Sequence, residues 1–423
     1  MPSLVVEGHV VAKQRRIVIT GLGVVAPNAI GKENFDAALR SGKSGISKIS
    51  DNTDSGSPHQ AVAPVRDFDL SAFLPQTRAA RKSLSRVSQF ALAAAHMAFR
   101  DAGLEPRMLD PKRCGICYGT TTGKPDFQDD AARFSASGTA GLEPSAWAEF
   151  SPHAPASHIA TELGLSGPIA TSSAGCCTGL MVLDWAADRI GTGRLDTALV
   201  GSGDSLLSPL VLGALRAGGL LTSHPHPDKA SRPYDLRRDG LVPGEAAGAI
   251  VLESLESAES RNAQIYAEYL GYASAVDTNR SSQRNGGGLA TAIHGALDDS
   301  RLNATDIDCI NSHGLSHPVF DLLETQGFKA ALGRAAYSVS VTSIKSMTGA
   351  SFAGDGILQI ISSCLILRGG VIPPILNLET PDPACDLDYV TRLRTARIRH
   401  LLTNTRALGG ANSVVILGGV DTR

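Results

Sequence analysis

Thr171-Ser172-Ser173-Ala174-Gly175-Cys176-Cys177-Thr178-Gly179 runs without a break into Leu180-Met181-Val182-Leu183-Asp184-Trp185. The first stretch reads as a tight turn of small residues, the second as the opening of an apolar helix. A cysteine at that junction meets the free N–H groups and positive dipole end of the helix, which favour its thiolate. Glycine and alanine before it permit the turn that presents the sulfur. The pattern predicts a nucleophilic Cys176 with a lowered pKa. The competing reading is a pair of buried structural thiols, a common fate of unpaired cysteine.

Outward from this turn, short apolar runs bounded by glycine or charge read as buried strands at 115–119, 198–203 and 247–253. Residues 86–103 read as a helix through Phe90, Leu92, Ala93, His96, Met97 and Phe99. After Ser260 the style restarts. Strands are predicted at 265–276, 308–312, 338–343 and 413–418, and helices at 288–299 and 354–368. The last helix is apolar on most faces and so belongs inside. Two similar α/β halves packed back to back fit this alternation, over 15–260 and 261–423, after an N-terminal extension 1–14. Gly21-Leu22-Gly23 after the β-branched run at 15–20 imitates a dinucleotide fingerprint. However, Pro27-Asn28 stands where a helix should be under way, and no strand ending in an acidic residue follows about 20 residues on. The glycines are therefore read as turn formers.

The chain of 423 residues is 43% hydrophobic and 19% charged, an ordinary globular balance. A net charge of -2 argues against nucleic-acid binding. No apolar run reaches membrane-spanning length, and Glu7 and His9 interrupt the start, which is no secretory signal. Seven cysteines without framework spacing imply reduced thiols and a cytoplasmic setting. Cys114 and Cys117 have metal-like spacing but no second pair, so no metal is expected.

Four further turns carry polar residues: Asn311-Ser312-His313-Gly314-Leu315-Ser316-His317-Pro318, Ser343-Ile344-Lys345-Ser346-Met347-Thr348-Gly349-Ala350, the loop around Leu408-Gly409-Gly410, and Arg238-Asp239-Gly240-Leu241-Val242-Pro243-Gly244-Glu245. In this order, behind a helix-capping cysteine, they resemble the elongating β-ketoacyl-acyl-carrier-protein synthases of the thiolase superfamily. The resemblance covers the chain from about Arg15 onward. It implies a thiolase-like fold of two βαβαβαββ halves in five α/β layers, normally dimeric. It assigns Cys176 as nucleophile, His313 as the first active-site histidine and Lys345 as the lysine of Lys-Ser-x-x-Gly-His. The backbone N–H groups of Cys176 and Leu408 would form the oxyanion hole. Acyl transfer from a carrier-protein thioester to Cys176 would precede loss of carbon dioxide from a malonyl thioester and attack of its enolate. No cofactor is implied beyond the phosphopantetheine that carries the substrates.

The sequence departs from that pattern where condensation is performed. Ala350 stands where the second histidine would fall, and loss of one preorganised donor typically costs about 10²–10³ in rate. Leu315 and His317 replace threonines near the pantetheine arm, Leu408 replaces a gating phenylalanine, and Gln359 stands where many relatives have glutamate. His317, Ala350, Leu408 and Gly409 are the expected substrate-binding positions, and His317 is a candidate for the missing donor as well as a plain loop residue. The function expected is an acyltransferase that loads Cys176 for condensation or transfer in fatty-acid or polyketide-type biosynthesis. The alternatives are a non-decarboxylating transferase to an alcohol, amine or carrier thiol, and a degenerate chain-length-determining partner of an active ketosynthase. The expected partners are an acyl carrier protein and a second ketosynthase-like subunit, identical or not, with no nucleic acid or membrane. Arg78, Arg81, Lys82 and Arg86 form a basic run suited to an acidic carrier protein.

Overall fold

A computed structural model describes residues 15–49, 61–74, 84–124, 127–142, 146–278 and 285–420. The first half runs β1 (Ile17–Ala26), α1 (Arg86–Asp101), β2 (Cys114–Gly119), α2 (Ala154–Leu163), β3 (Ile169–Ala170), α3 (Thr178–Gly191), β4 (Thr197–Ser205) and β5 (Glu245–Ser254). The second repeats that order as β6 (Ala267–Val276), α4 (Gly287–Ser300), β7 (Cys309–Asn311), α5 (Pro318–Leu332), β8 (Ser340–Thr342), α6 (Ala353–Gly369), β9 (His400–Arg406) and β10 (Ala411–Gly418). Strand order is β3-β2-β4-β5-β1 in the first and β8-β7-β9-β10-β6 in the second. In each, the three strands that precede or follow crossover helices are parallel, and the closing strand returns antiparallel. The halves join where Ile17, Val18 and Ile19 of β1 pair with Tyr269, Glu268 and Ala267 of β6.

Burial follows this layering. Leu180, Val182 and Leu183 of α3 and Ile357, Ile360 and Ile361 of α6 fill one core with residues of both half-sheets. The α1 and α2 helices cover the far face of the first half-sheet, and α4 and α5 that of the second. Helix α6 is apolar on most faces because it lies in the middle layer, as its sequence predicts. Two helices can approach so closely only through glycine: a Cβ on Gly179 of α3 would lie 2.5 Å from the backbone nitrogen of Ile357 in α6. That contact sets the two helix N-termini, and the turns before them, side by side.

The glycines near the start do not turn the chain. Strand β1 continues through Gly21 and Gly23 to Ala26, with a register shift between Ile19 and Gly21. A Cβ at either position would strike the backbone carbonyl of Ala98 or Ala94 in α1. They are glycines because the alanine-rich face of α1 packs directly on the strand.

Candidate active site

Cys176 lies just outside α3, whose N-cap is Cys177. Gly175 before it has φ +59, a left-handed conformation that costs an L-residue about 1–2 kcal/mol. Thr178 locks the turn: its Oγ1 donates to the Gly175 carbonyl at 2.7 Å and accepts from Ala174 N–H at 2.8 Å. Both cysteines are buried, but they face apart. The Cys177 thiol donates toward the carbonyls of Thr405 and Ala411, each at 3.5 Å, in the β9–β10 hairpin. Cys176 instead faces His313 and Asp355: one ligand-type atom of each lies within 4.8 Å of the other two.

The predicted lowering of the Cys176 pKa is not what the site produces. Burial, with the Asp355 carboxylate adding to it, pushes the thiol well above its ordinary value, and Lys345 offsets this only partly. Desolvation of an anion outweighs the end of one helix when a carboxylate faces the same sulfur.

His313 follows β7, and the loop is held from behind by two carboxylates of α5. Glu324 accepts from the N–H groups of His313 and Gly314 at 2.8 and 2.9 Å, and Asp321 from that of Leu315 at 3.0 Å. Tyr234 and Asn404 donate to Glu324 as well, each at 2.6 Å. The His313 ring is buried, and among the described residues neither of its nitrogens has a hydrogen-bond partner. Burial, then the positive charges of Lys345 and Arg406, depresses its pKa far below the usual range, so the imidazole is neutral.

Lys345 is buried and donates to Gln359 Oε1 at 3.2 Å. The Gln359 amide in turn bonds the carbonyls of Asn311, Ser312 and Asn404. A glutamate there could not donate to those three, so the amide ties the His313 turn to β9. Ala350 is buried with Leu241 and Leu315, against Phe352 and Leu408. Its backbone is fixed on both sides, donating to Val242 and accepting from Gly244, each at 2.8 Å. Leu408 and Gly409 occupy the turn between β9 and β10, Leu408 half-buried against that apolar cluster and Gly409 exposed.

Two expected residues are engaged elsewhere. His317 is the N-cap of α5: its Nδ1 accepts from Val319 N–H at 3.2 Å, and its ring packs on Phe320. It lies outside the Cys176–His313–Asp355 cluster. Arg86 forks onto both oxygens of Glu245, at 2.7 and 2.6 Å, and onto the Val65 carbonyl, which binds α1 to β5 rather than leaving a free cation. Arg78, Arg81 and Lys82 fall outside the described residues, as does the extension 1–14.

Asp355 is the residue that sequence reasoning missed. In a helix read as buried, it passes for an ordinary acidic residue of the first turn. The available signal was a carboxylate in the first turn of a helix that is otherwise uncharged until Arg368, ten residues after Lys345. The cluster has the donor types of a metal site, but the Lys345 ammonium, 3.7 Å from Asp355 Oδ2, already supplies the positive charge there.

Residues 14–258 match the family described as beta-ketoacyl synthase, N-terminal domain, and residues 266–379 match its C-terminal domain. The chain belongs to the β-ketoacyl synthase family. It is similar to the tetracenomycin polyketide synthase ketoacyl synthase alpha subunit of Streptomyces glaucescens, 35% identical over 416 residues, 96% of this chain and 97% of that protein. The 3-oxoacyl-(acyl-carrier-protein) synthase 2 of Coxiella burnetii is 35% identical over 417 residues, 96% of this chain and 99% of that one. Among solved structures, a type II polyketide synthase acyl-carrier protein in complex with its ketosynthase superposes with a TM-score of 0.89 at 32% identity, over 96% of this chain and all of the matched chain. The ishigamide ketosynthase/chain length factor gives the same values. The thiolase-like α/β fold expected from the turns is the fold observed. Among the described residues, no helix is long and apolar enough to cross a membrane.

Proposed function

We propose that this β-ketoacyl synthase family member takes an acyl group from a carrier-protein thioester onto Cys176, in a cytoplasmic polyketide or fatty-acid pathway. The observation that carries this reading is the pairing of a buried thiol at a helix N-terminus with a buried, neutral, unpartnered imidazole. A neutral His313 is the form that accepts the thiol proton as sulfur attacks the thioester. In this reading the backbone N–H groups of Cys176 and Leu408 would hold the tetrahedral oxyanion. Lys345 holds positive charge beside the pocket.

Transfer of the acyl group, rather than decarboxylative condensation, is favoured by two features of the pocket. Ala350 offers no donor to an enolate oxygen, and the Asp355 carboxylate opposes both that enolate and the carboxylate of a malonyl group. The second reading, retained condensation, is supported by the presence of Cys176, His313 and Lys345 together.

The complexes named among the relatives support an acyl carrier protein as the donor. They also support a dimer, with an identical chain or a ketosynthase-like one. Edge strand β3 is open beyond β2 and exposes Ile169.

Intact-protein mass spectrometry tests the reading. Acyl-carrier protein is expected to add an acyl mass to the chain, and malonyl-carrier protein added next to leave that mass unextended. No acyl adduct sinks the loading proposal, and an extended product sinks the preference for transfer.

A further inference from the structure

A carboxylate in the first turn of a buried helix is costly unless its oxygens are satisfied. Asp355 is satisfied on one side only. Its Oδ1 accepts from Ser351 N–H at 2.7 Å and from the Ser351 hydroxyl at 3.1 Å. Its Oδ2 is buried and, among the described residues, has no hydrogen-bond partner. The Lys345 ammonium lies 3.7 Å from Oδ2 but directs its hydrogen bond to Gln359. The nearby Asp204 makes a useful contrast. It is also buried, yet both its oxygens are taken, by the Thr120–Thr122 turn and by Ala353 N–H. Asp204 is structural; a carboxylate oxygen of Asp355 lies within 4.8 Å of the Cys176 sulfur and of a His313 ring nitrogen.

Building on the acyl-loading reading, we propose that Asp355 is the general base for a hydroxyl acceptor, so that the acyl group leaves Cys176 as an oxygen ester. The acceptor oxygen bonds to the thioester carbonyl carbon as its proton passes to Asp355 Oδ2. The C–S bond then breaks, and the Cys176 thiolate takes a proton back from Asp355. One O–H and one C–S bond are lost and one C–O and one S–H bond are gained, with no oxidant or reductant.

The chemistry of the site selects this acceptor class. A thiol ionises near neutral pH and needs little help, whereas an alcohol needs a base at the moment of attack. A carbon nucleophile would arrive as an enolate and meet a fixed negative charge. Burial raises the Asp355 pKa from its ordinary value, against the pull of Lys345, which makes it a stronger base than an exposed carboxylate.

The experiment compares two acceptors that differ in one atom, N-acetylethanolamine and N-acetylcysteamine. Each is added to protein acylated by octanoyl-carrier protein, and ester and thioester products are counted. Asp355→Asn, which keeps the size of the side chain, is expected to lower the ratio of oxygen to sulfur transfer by about 10²-fold or more. Asp355→Ala is the second variant and should lower it equally. An unchanged ratio in acylated variants overturns the assignment, as does an unmodified protein that makes thioester but no ester. Failure of the unmodified protein to acylate Cys176 at all would instead remove the reading on which the proposal rests.

Discussion

Replacing Ala350 with histidine asks how much of the condensing chemistry one residue controls. The backbone there is held by two 2.8 Å hydrogen bonds, so a new imidazole would start from a fixed point. One restored donor is worth about 10²–10³ in rate. Two terms limit condensation in that variant. The site is filled by Leu241, Leu315, Phe352 and Leu408, and overpacking costs typically about 1–3 kcal/mol. The Asp355 carboxylate lies within 4.8 Å of the cysteine sulfur. Two unit charges at that separation and an effective dielectric constant of about 20 repel by roughly 3.5 kcal/mol, about 300-fold in rate. The repulsion burdens the Ala350 protein equally, so only the packing cost is set against the roughly 2.7–4.1 kcal/mol of the added donor. Ala350→His alone is expected to raise carbon dioxide release from malonyl-carrier protein by about tenfold. Ala350→His with Asp355→Ala is expected to raise it by roughly a further 10²-fold, because the repulsion is gone. A full recovery in the single variant, or a double variant that is acylated yet no better than the single, would refute the charge argument.

Cys176 alkylation by iodoacetamide should rise steadily from pH 6 to pH 9, since burial and Asp355 hold the thiol up and the His313 imidazole stays neutral; a rate plateau below pH 7 would reveal a preformed thiolate–imidazolium pair. Asp355→Asn should speed alkylation at pH 8, by removing one of the groups that raises the thiol pKa. Cys176→Ala should abolish acylation. Peptide mapping should find the label on Cys176 and never on Cys177, whose thiol faces the β9–β10 hairpin. Gly175→Ala should lower the melting temperature and slow acylation together, because φ +59 is strained for alanine and its Cβ would meet that of Ala407 at 3.1 Å; a neutral effect on both would remove the turn from the argument.

Much of the fold was legible because its strands are short apolar runs and its helices carry clear periods. The repeat of β, α and turn is visible in residue type even though the halves share little identity. Gly21 and Gly23 were misread because a glycine that turns a chain and a glycine that admits a helix look the same in one dimension. The lowered thiol pKa was misread for a related reason. Helix position is local and can be read from the sequence, whereas desolvation and a carboxylate from another helix are tertiary.

Asp355 shows what that distinction means for function. Cys176 precedes α3 and Lys345 precedes α6, at equivalent turns of the two halves. The contact between Gly179 and the start of α6 sets those turns together, so a substitution in one half becomes chemistry in the other. In the proposed reading the pocket has no imidazole at position 350, and five residues later, in the first turn of the helix, it carries a carboxylate. A neutral donor for an enolate and a negative base for a hydroxyl ask opposite things of the same few ångströms. A site that supplies the second cannot also stabilise the first at full strength, and in the proposed reading the buried charge on α6 decides which of the two reactions Cys176 serves.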